Sequence, residues 1–165
     1  MTGDRHGTGS ASGYRTPPAV AGSPEEMLAR ARRSQADAGF SMVLGGEILR
    51  CWNGEAEYLV PVTDRLKQNS GFIHGAVIGA CADNVCAWAA ASLVGEALTA
   101  NYTLHLLAPA LGERLRASAT VIRSGRSQSV VRADVHIEDG RESKLVATAL
   151  ATIAHIQSRQ EERVS

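Results

Sequence analysis

The chain has no charge to spare: 17 Lys and Arg are matched by 17 Asp and Glu, and its pI is near 7.0. Without a basic field, nucleic acid is a poor partner. There are only 3 cysteines, Cys51, Cys81 and Cys86, an odd number at irregular spacing. That excludes a disulfide framework and the spacings of a zinc site, and a reducing cytoplasm is the expected compartment. His105, His136 and His155 have no acid or cysteine at ligand spacing, so no metal and no separate cofactor are expected. The first stretch, MTGDRHGTGSASGYRTPPAVAG, lacks an apolar core and does not resemble a signal peptide. Residues 1–22 and 157–165 are expected to be polar tails around a domain at 23–156. One domain is what 165 residues allow, with enough chain for a real core.

What the chain does have is one long apolar run with one acid in it. From Gly75 to Gly95, Asp83 is the only side chain that charges at neutral pH. A membrane span is long enough to fit here. The run, however, is Ala, Gly and Cys rather than Leu and Ile, it has no close basic flank, and Asp83 at mid-bilayer would cost roughly 3 kcal/mol. A buried helix in a soluble domain, off the membrane, is expected.

The rest organises around that helix. Ser23-Pro24-Glu25-Glu26 opens a first helix that ends by Gly39. Phe40 to Cys51 and Glu55 to Val62 read as strands joined by an Asn53-Gly54 hairpin turn. A loop, Thr63 to Ile73, leads into the long helix. Four strands follow: Leu98 to Leu107, Arg114 to Arg123, Ser127 to Ile137 and Ser143 to His155. The result is an α+β domain, one long central helix against a mostly antiparallel sheet.

On a helical wheel, Ala76, Gly79, Ala80, Cys86, Ala87 and Ala90 fall within about 60° of Asp83. Val77, Ile78, Cys81, Val85 and Trp88 fall opposite and should pack into the sheet. A small-residue face admits a second backbone or a ligand slot. Asp83 is either a structural acid capping a neighbour or part of a site, and both can hold together. Gly75 and Asp83 are separated by about 12 Å of helix, so they cannot act on one atom from a single helix. Two antiparallel copies, packed through their small faces, would bring one helix's N-terminus to the other's Asp83.

The stretch Gly71-Phe72-Ile73-His74-Gly75-Ala76, followed by Ala82-Asp83, resembles hotdog-fold acyl-CoA thioesterases of the phenylacetate-pathway (PaaI-like) type. Their pattern is G-x-x-H-G-G with an Asp eight residues after the first Gly of the pair. Thr99, ten residues before Pro109, is similar to the family's T…PA strand. Val121 to Arg126 is similar to its V-x-R-x-G-R turn, and Lys144 to Thr148 to its K-L-V-A strand. The likeness covers roughly residues 25–155. Ala76 stands where the second Gly would be, and Gln68, with Asn69 next, where the family has Asn.

The resemblance implies a hotdog fold, active sites at a homodimer interface, assembly to a homotetramer, and an acyl-CoA partner whose coenzyme A is substrate. It implies that the Gly75 amide polarises the thioester carbonyl, while Asp83 of the facing subunit acts as nucleophile or general base. It gives Thr99 the role of positioning water or Asp83, and His74 that of orienting the loop or touching the thioester. Gln68 or Asn69, with Ala76 and Asn84, would meet the substrate. Arg123, Gly125, Arg126 and Ser127 would hold the coenzyme A arm, Arg126 near its phosphates. Three other functions compete: a non-catalytic acyl-CoA sensor, a hotdog hydratase or dehydratase, and a fold without activity. A hydratase should carry a His close to its acid, and Asp83-Asn84-Val85-Cys86 has none.

Overall fold

The computed structural model describes residues 22–156. Apart from Gly22, the expected tails lie outside them. The first helix, α1 (Pro24–Asp37), starts on a complete capping box. The Glu26 N–H donates to Ser23 Oγ at 3.3 Å, and the Ser23 N–H to Glu26 Oε2 at 2.8 Å.

The strand expected over Phe40 to Cys51 divides in two. Gly39–Leu44 is a short helix, α2, and only Glu47–Trp52 is strand, β1. The buried positions of α2 are Ser41 and Leu44, three apart, which is helical spacing. Gly45, at φ 64°, ends the helix in the left-handed conformation. The apolar run that suggested a strand is mostly on the surface, with Phe40 64% and Val43 72% exposed. A short apolar run carries no period of its own, and here the tertiary anchor decides: the Asn84 Nδ2–H donates to Ser41 Oγ at 3.3 Å.

β2 (Glu55–Pro61) pairs with β1 across Asn53 and Gly54, both at positive φ (50° and 80°), as a two-residue hairpin requires. The next loop contains a single 3₁₀ turn, Asp64–Leu66, which buries Leu66. Then come α3 (Gly75–Val94), β3 (Ala97–Leu106), β4 (Arg114–Ser124), β5 (Gln128–Asp139) and β6 (Glu142–His155). The six strands form one sheet in the order β1-β2-β4-β5-β6-β3, every neighbouring pair antiparallel.

By length and composition α3 could cross a membrane. In this fold it is the core. Ile78, Cys81, Val85 and Trp88 are buried against Tyr58, Val60, Leu115, Val131 and Ile153 of the sheet. Trp88 meets the Tyr58 ring edge-on, centroids 5.1 Å apart. The small-residue face is only half open. Gly79, Cys86 and Ala90 are buried, Ala80, Asp83 and Ala87 are half-buried, and Ala76 is exposed. At Gly79 the reason is β3: a Cβ there would lie 3.3 Å from Tyr102 Oη and 3.4 Å from Leu104 Cδ2.

On β4, Arg116 bridges two acids, Glu57 of β2 and Glu138 of β5, while Arg114 reaches Glu138 at 3.3 Å. The Arg116 hydrogen bond holds the Glu138 carboxyl below the usual 4.5. A lowered carboxyl stabilises the fold above its ordinary value and loses that contribution as pH falls through the folded value. Glu138→Gln should therefore cost on the order of 1 kcal/mol at neutral pH. It should also flatten the acid limb of a Tm-versus-pH curve below about pH 4.5, where wild type falls more steeply.

Candidate active site

The N-terminus of α3 is held by its own cap. His74 Nδ1 accepts the Ala76 N–H at 3.0 Å, and the His74 carbonyl takes Val77 at 2.9 Å and Ile78 at 3.3 Å. A ring nitrogen that accepts a hydrogen bond carries no proton, so in neutral His74 the proton is on Nε2. The Ala76 N–H is thereby taken up in the cap. The Gly75 N–H, first in the helix, has no intrahelical acceptor and stands at the positive end of the dipole. The approach is pinned on both sides, His74 N–H donating to the Leu66 carbonyl at 2.9 Å and Ile73 N–H to that of Ala110 at 3.0 Å.

Gly75 opens on a cavity of about 400 Å³ whose walls include Gln68, Phe72, Ile78, Leu106 and Pro109. Gln68 lines this cavity. Asn69 does not; its side-chain oxygen accepts from Ser70 Oγ at 3.4 Å, at the surface.

Asp83 does not line that cavity either. It is half-buried midway along α3, and its Oδ1 is buried with no hydrogen bond among the described residues. A buried carboxylate oxygen left unsatisfied costs about 1–3 kcal/mol or more. Nearby nucleophiles are inert. Burial, with Asp83 adding to it, pushes the Cys86 thiol up to about 12; burial alone takes Cys81 to about 12, and burial takes Cys51 to about 11. None of these thiols forms a thiolate at neutral pH. Asn84, expected at the substrate, donates to Ser41 Oγ and so tethers α2.

Thr99 is on β3, paired with Ile153. A register shift between Thr99 and Asn101 leaves Ala100 without a partner, so the face changes parity there. Thr99 before the bulge and Tyr102, Leu104 and Leu106 after it all pair with the buried residues Ile153, Ala151, Ala149 and Ala147. All four thus share the face turned to α3. Thr99 would have faced outward without the bulge.

The Arg123–Ser127 turn closes with Gly125 N–H donating to the Gln128 carbonyl at 2.8 Å. Ser127 is tied to β6, its carbonyl accepting the His155 N–H at 2.9 Å. Beneath the turn runs a polar chain that sequence reasoning missed: Ser124 Oγ, Ser129 Oγ and His155 Nε2, each link 2.9 Å. Its members come from three strands and have no common motif. Gln128 is level with Ala154 and Leu98, whereas Gly75 abuts Leu106. Eight residues of strand, about 26 Å, separate those two levels. Within one chain, His74, Gly75 and Gln68 are thus gathered at one end of the sheet and Arg123, Gly125, Arg126 and Ser127 at the other, with Asp83 between. Among the described residues no three His, Cys, Asp or Glu side chains group as a metal site.

Residues 70–144 match a family profile described as the thioesterase superfamily. A thioesterase family protein from Silicibacter pomeroyi is 30% identical with a TM-score of 0.75, covering 79% of this chain and 99% of its own. A putative thioesterase related to phenylacetic acid degradation from Ralstonia eutropha is 32% identical, TM-score 0.64, covering 78% and 98%. The E. coli PaaI protein of the phenylacetic acid degradation operon is 21% identical with a TM-score of 0.73, covering 82% and 98%, a likeness of fold. No curated protein matches significantly.

The cap makes a prediction separable from catalysis. His74→Ala, which leaves the Ala76 N–H without its acceptor, should lower stability to urea by about 1 kcal/mol. His74→Asn, with a good capping side chain, should stay within a few tenths of wild type.

Proposed function

From the premise that this chain belongs to the thioesterase superfamily and has the hotdog fold of PaaI-like thioesterases, we propose that it hydrolyses aryl- or short- to medium-chain acyl-CoA to the free acid and coenzyme A. The observation that carries this reading is Asp83 Oδ1, buried and unpartnered on the core helix. A carboxylate oxygen kept at such cost, beside the protonated Cys86 thiol, suits a group held ready for reaction.

The chemistry needs two copies of the chain. Asp83 is about 12 Å along α3 from the Gly75 amide. A twofold axis between antiparallel helices sets Asp83 of one subunit at the α3 N-terminus of the other. The same operation moves the Arg123–Ser127 turn, from the far end of the Asp83 subunit's sheet, to the cavity at Gly75. One extended coenzyme A arm can then reach Arg126 while its thioester lies at the helix N-terminus. The functional unit is accordingly a homodimer, two of which would pair as a homotetramer, and three buried, protonated thiols suit a reducing cytoplasm.

In this arrangement the thioester oxygen accepts from the Gly75 N–H, and the helix dipole stabilises the charge that gathers there. His74 would orient the loop or touch the thioester through its Nε2–H. Acting as base, Asp83 takes a proton from water as the water oxygen bonds to the carbonyl carbon. The tetrahedral oxyanion collapses, the C–S bond breaks, and the coenzyme A thiolate takes up a proton. Acting as nucleophile, Asp83 forms a mixed anhydride with loss of the thiolate, and water then hydrolyses it. Thr99, on the inner face of β3, would position the water or the carboxylate.

Free-thiol release from a panel of aryl and alkyl acyl-CoA esters tests the reading. Asp83→Asn should lower turnover by roughly 10²- to 10⁴-fold. Because it removes a buried unpaired charge, it should melt at or above the wild-type temperature. Thr99→Ala should cost less. Normal turnover in Asp83→Asn would sink the mechanism. Binding of acyl-CoA without hydrolysis by wild type would point to a sensor instead.

A further inference from the structure

Ser129 is fully buried on the core face of β5, in line with Val131, Ala133, Val135 and Ile137. An apolar residue would ordinarily stand there, because a buried hydroxyl left unpaired is costly. Its partners are Ser124 Oγ and His155 Nε2, each at 2.9 Å. We infer that His155, acting through Ser129, is a positioning residue for coenzyme A. It ties the Arg123–Ser127 turn to the start of β3 and so sets where the arginines of the turn meet the phosphates. This inference rests on the reading of that turn as the holder of the coenzyme A arm.

Three observations support it. The first is where the hydroxyls meet. Ser124 and Ser129 pair directly across β4 and β5. Their contact closes the neck of the hairpin, immediately below Gly125, Arg126 and Ser127. The second is a bulge. Val121 pairs with Val131 and Arg123 with Val130, so Ile122 stands unpaired and 60% exposed. In an unbroken register Arg123 would be opposite Ser129 and face the core. The bulge turns Arg123 to the outer face and brings Ser124 opposite Ser129 instead. The third is the double grip of His155. Its N–H donates to the Ser127 carbonyl at 2.9 Å, while its ring nitrogen meets Ser129 Oγ. His155 ends β6 and pairs with Ala97, the first residue of β3. One residue thus joins the neck of the turn to the edge strand across which the partner subunit would approach.

A hairpin tip held only by its own two strands is free to sway, and ordering it at the moment of binding costs affinity. His155 and Ser129 order it beforehand. The nucleotide end of coenzyme A is remote from the bond that breaks. Loss of this order should therefore appear in binding and not in turnover at saturation. A thioester without the nucleotide, such as an acyl-N-acetylcysteamine, does not reach the turn and should not register the change.

The experiment compares the full wild-type chain with Ser129→Ala and His155→Leu, which cut the polar chain, and with His155→Gln, whose amide can keep a hydrogen bond to Ser129. It measures kcat and KM for octanoyl- and phenylacetyl-CoA, kcat/KM for the matching N-acetylcysteamine esters, and the Kd of free coenzyme A by calorimetry. Ser129→Ala and His155→Leu should raise KM and the coenzyme A Kd about tenfold, the effect of one weakened hydrogen bond to a charged group, with kcat within about twofold. His155→Gln should recover most of that loss, and the N-acetylcysteamine esters should be cleaved alike by all of these proteins. An unchanged coenzyme A Kd in folded Ser129→Ala, or an equal loss on the N-acetylcysteamine esters, would overturn the inference. Should His155→Leu not fold, Ser129→Ala decides by the same criterion. If wild type binds coenzyme A but cleaves no ester, the thioesterase reading falls, and the inference stands or falls on the Kd of Ser129→Ala. Neither binding nor cleavage by wild type would overturn both together.

Discussion

One oxygen of Asp83 is buried on the core helix with no hydrogen bond, and the surrounding structure is arranged so that this can persist. A charge in that position would ordinarily draw in a partner or be lost to an apolar residue. The far side of α3 is locked into the sheet through Ile78, Cys81, Val85 and Trp88, and its near side carries small residues, with β3 packed against Gly79. The stability that offsets this cost comes from elsewhere, from the core between α3 and the sheet. A rigid frame around an unsatisfied polar atom is usual where a protein holds a group ready for chemistry.

The same helix separates three tasks along its length. Its start presents the Gly75 amide to one cavity, its middle carries the carboxylate, and its last turns line another cavity. Small residues are what make that possible. At Gly79 they let β3 cross close to the helix axis, with Tyr102 and Leu104 against it. At Ala87 and Ala91 they leave open space instead. The difference lies in what stands opposite: inward-facing side chains of β3 in the first case, the gap between α1 and the start of β3 in the second.

The framework was readable because its signals are local. A capping Ser before Pro24, Asn-Gly at 53–54, a His-Gly entry to α3 and alternating strands each act within a few residues, and each element formed close to where these signals put it. Two features were not readable. The helix at Gly39–Leu44 depends on Asn84, more than 40 residues away, holding Ser41. The bulge at Ala100 is a property of pairing with β6, and no residue there announces it; yet it decides which way Thr99 faces. For the candidate site, the positions of His74, Gly75 and Asp83 on α3 followed from pattern. The choice of Gln68 over Asn69 as a cavity wall did not, because it turns on the loop's hydrogen bonds, Gln68 N–H to the Phe72 carbonyl and Gly71 N–H back to that of Gln68.

The distances along the sheet carry the last step. A turn rich in arginine is at one end and an anion-ready helix terminus at the other, about 26 Å apart on the same chain. A ligand that used both from a single subunit would have to run the full length of β3, passing Leu104, Tyr102 and Thr99 on the face that β3 itself closes against α3. That path is filled by Gly79's close contact with β3. Reversing one copy against another removes the obstacle, because the two ends then meet across the edge strand rather than beneath it. β3 is such an edge, paired on one side by β6 and on the other by no strand among the described residues. An edge of ten residues with exposed Leu98, Tyr102 and Leu106 is a template for pairing. On the proposed mechanism, the site and the open edge of the sheet would call for the same twofold partner.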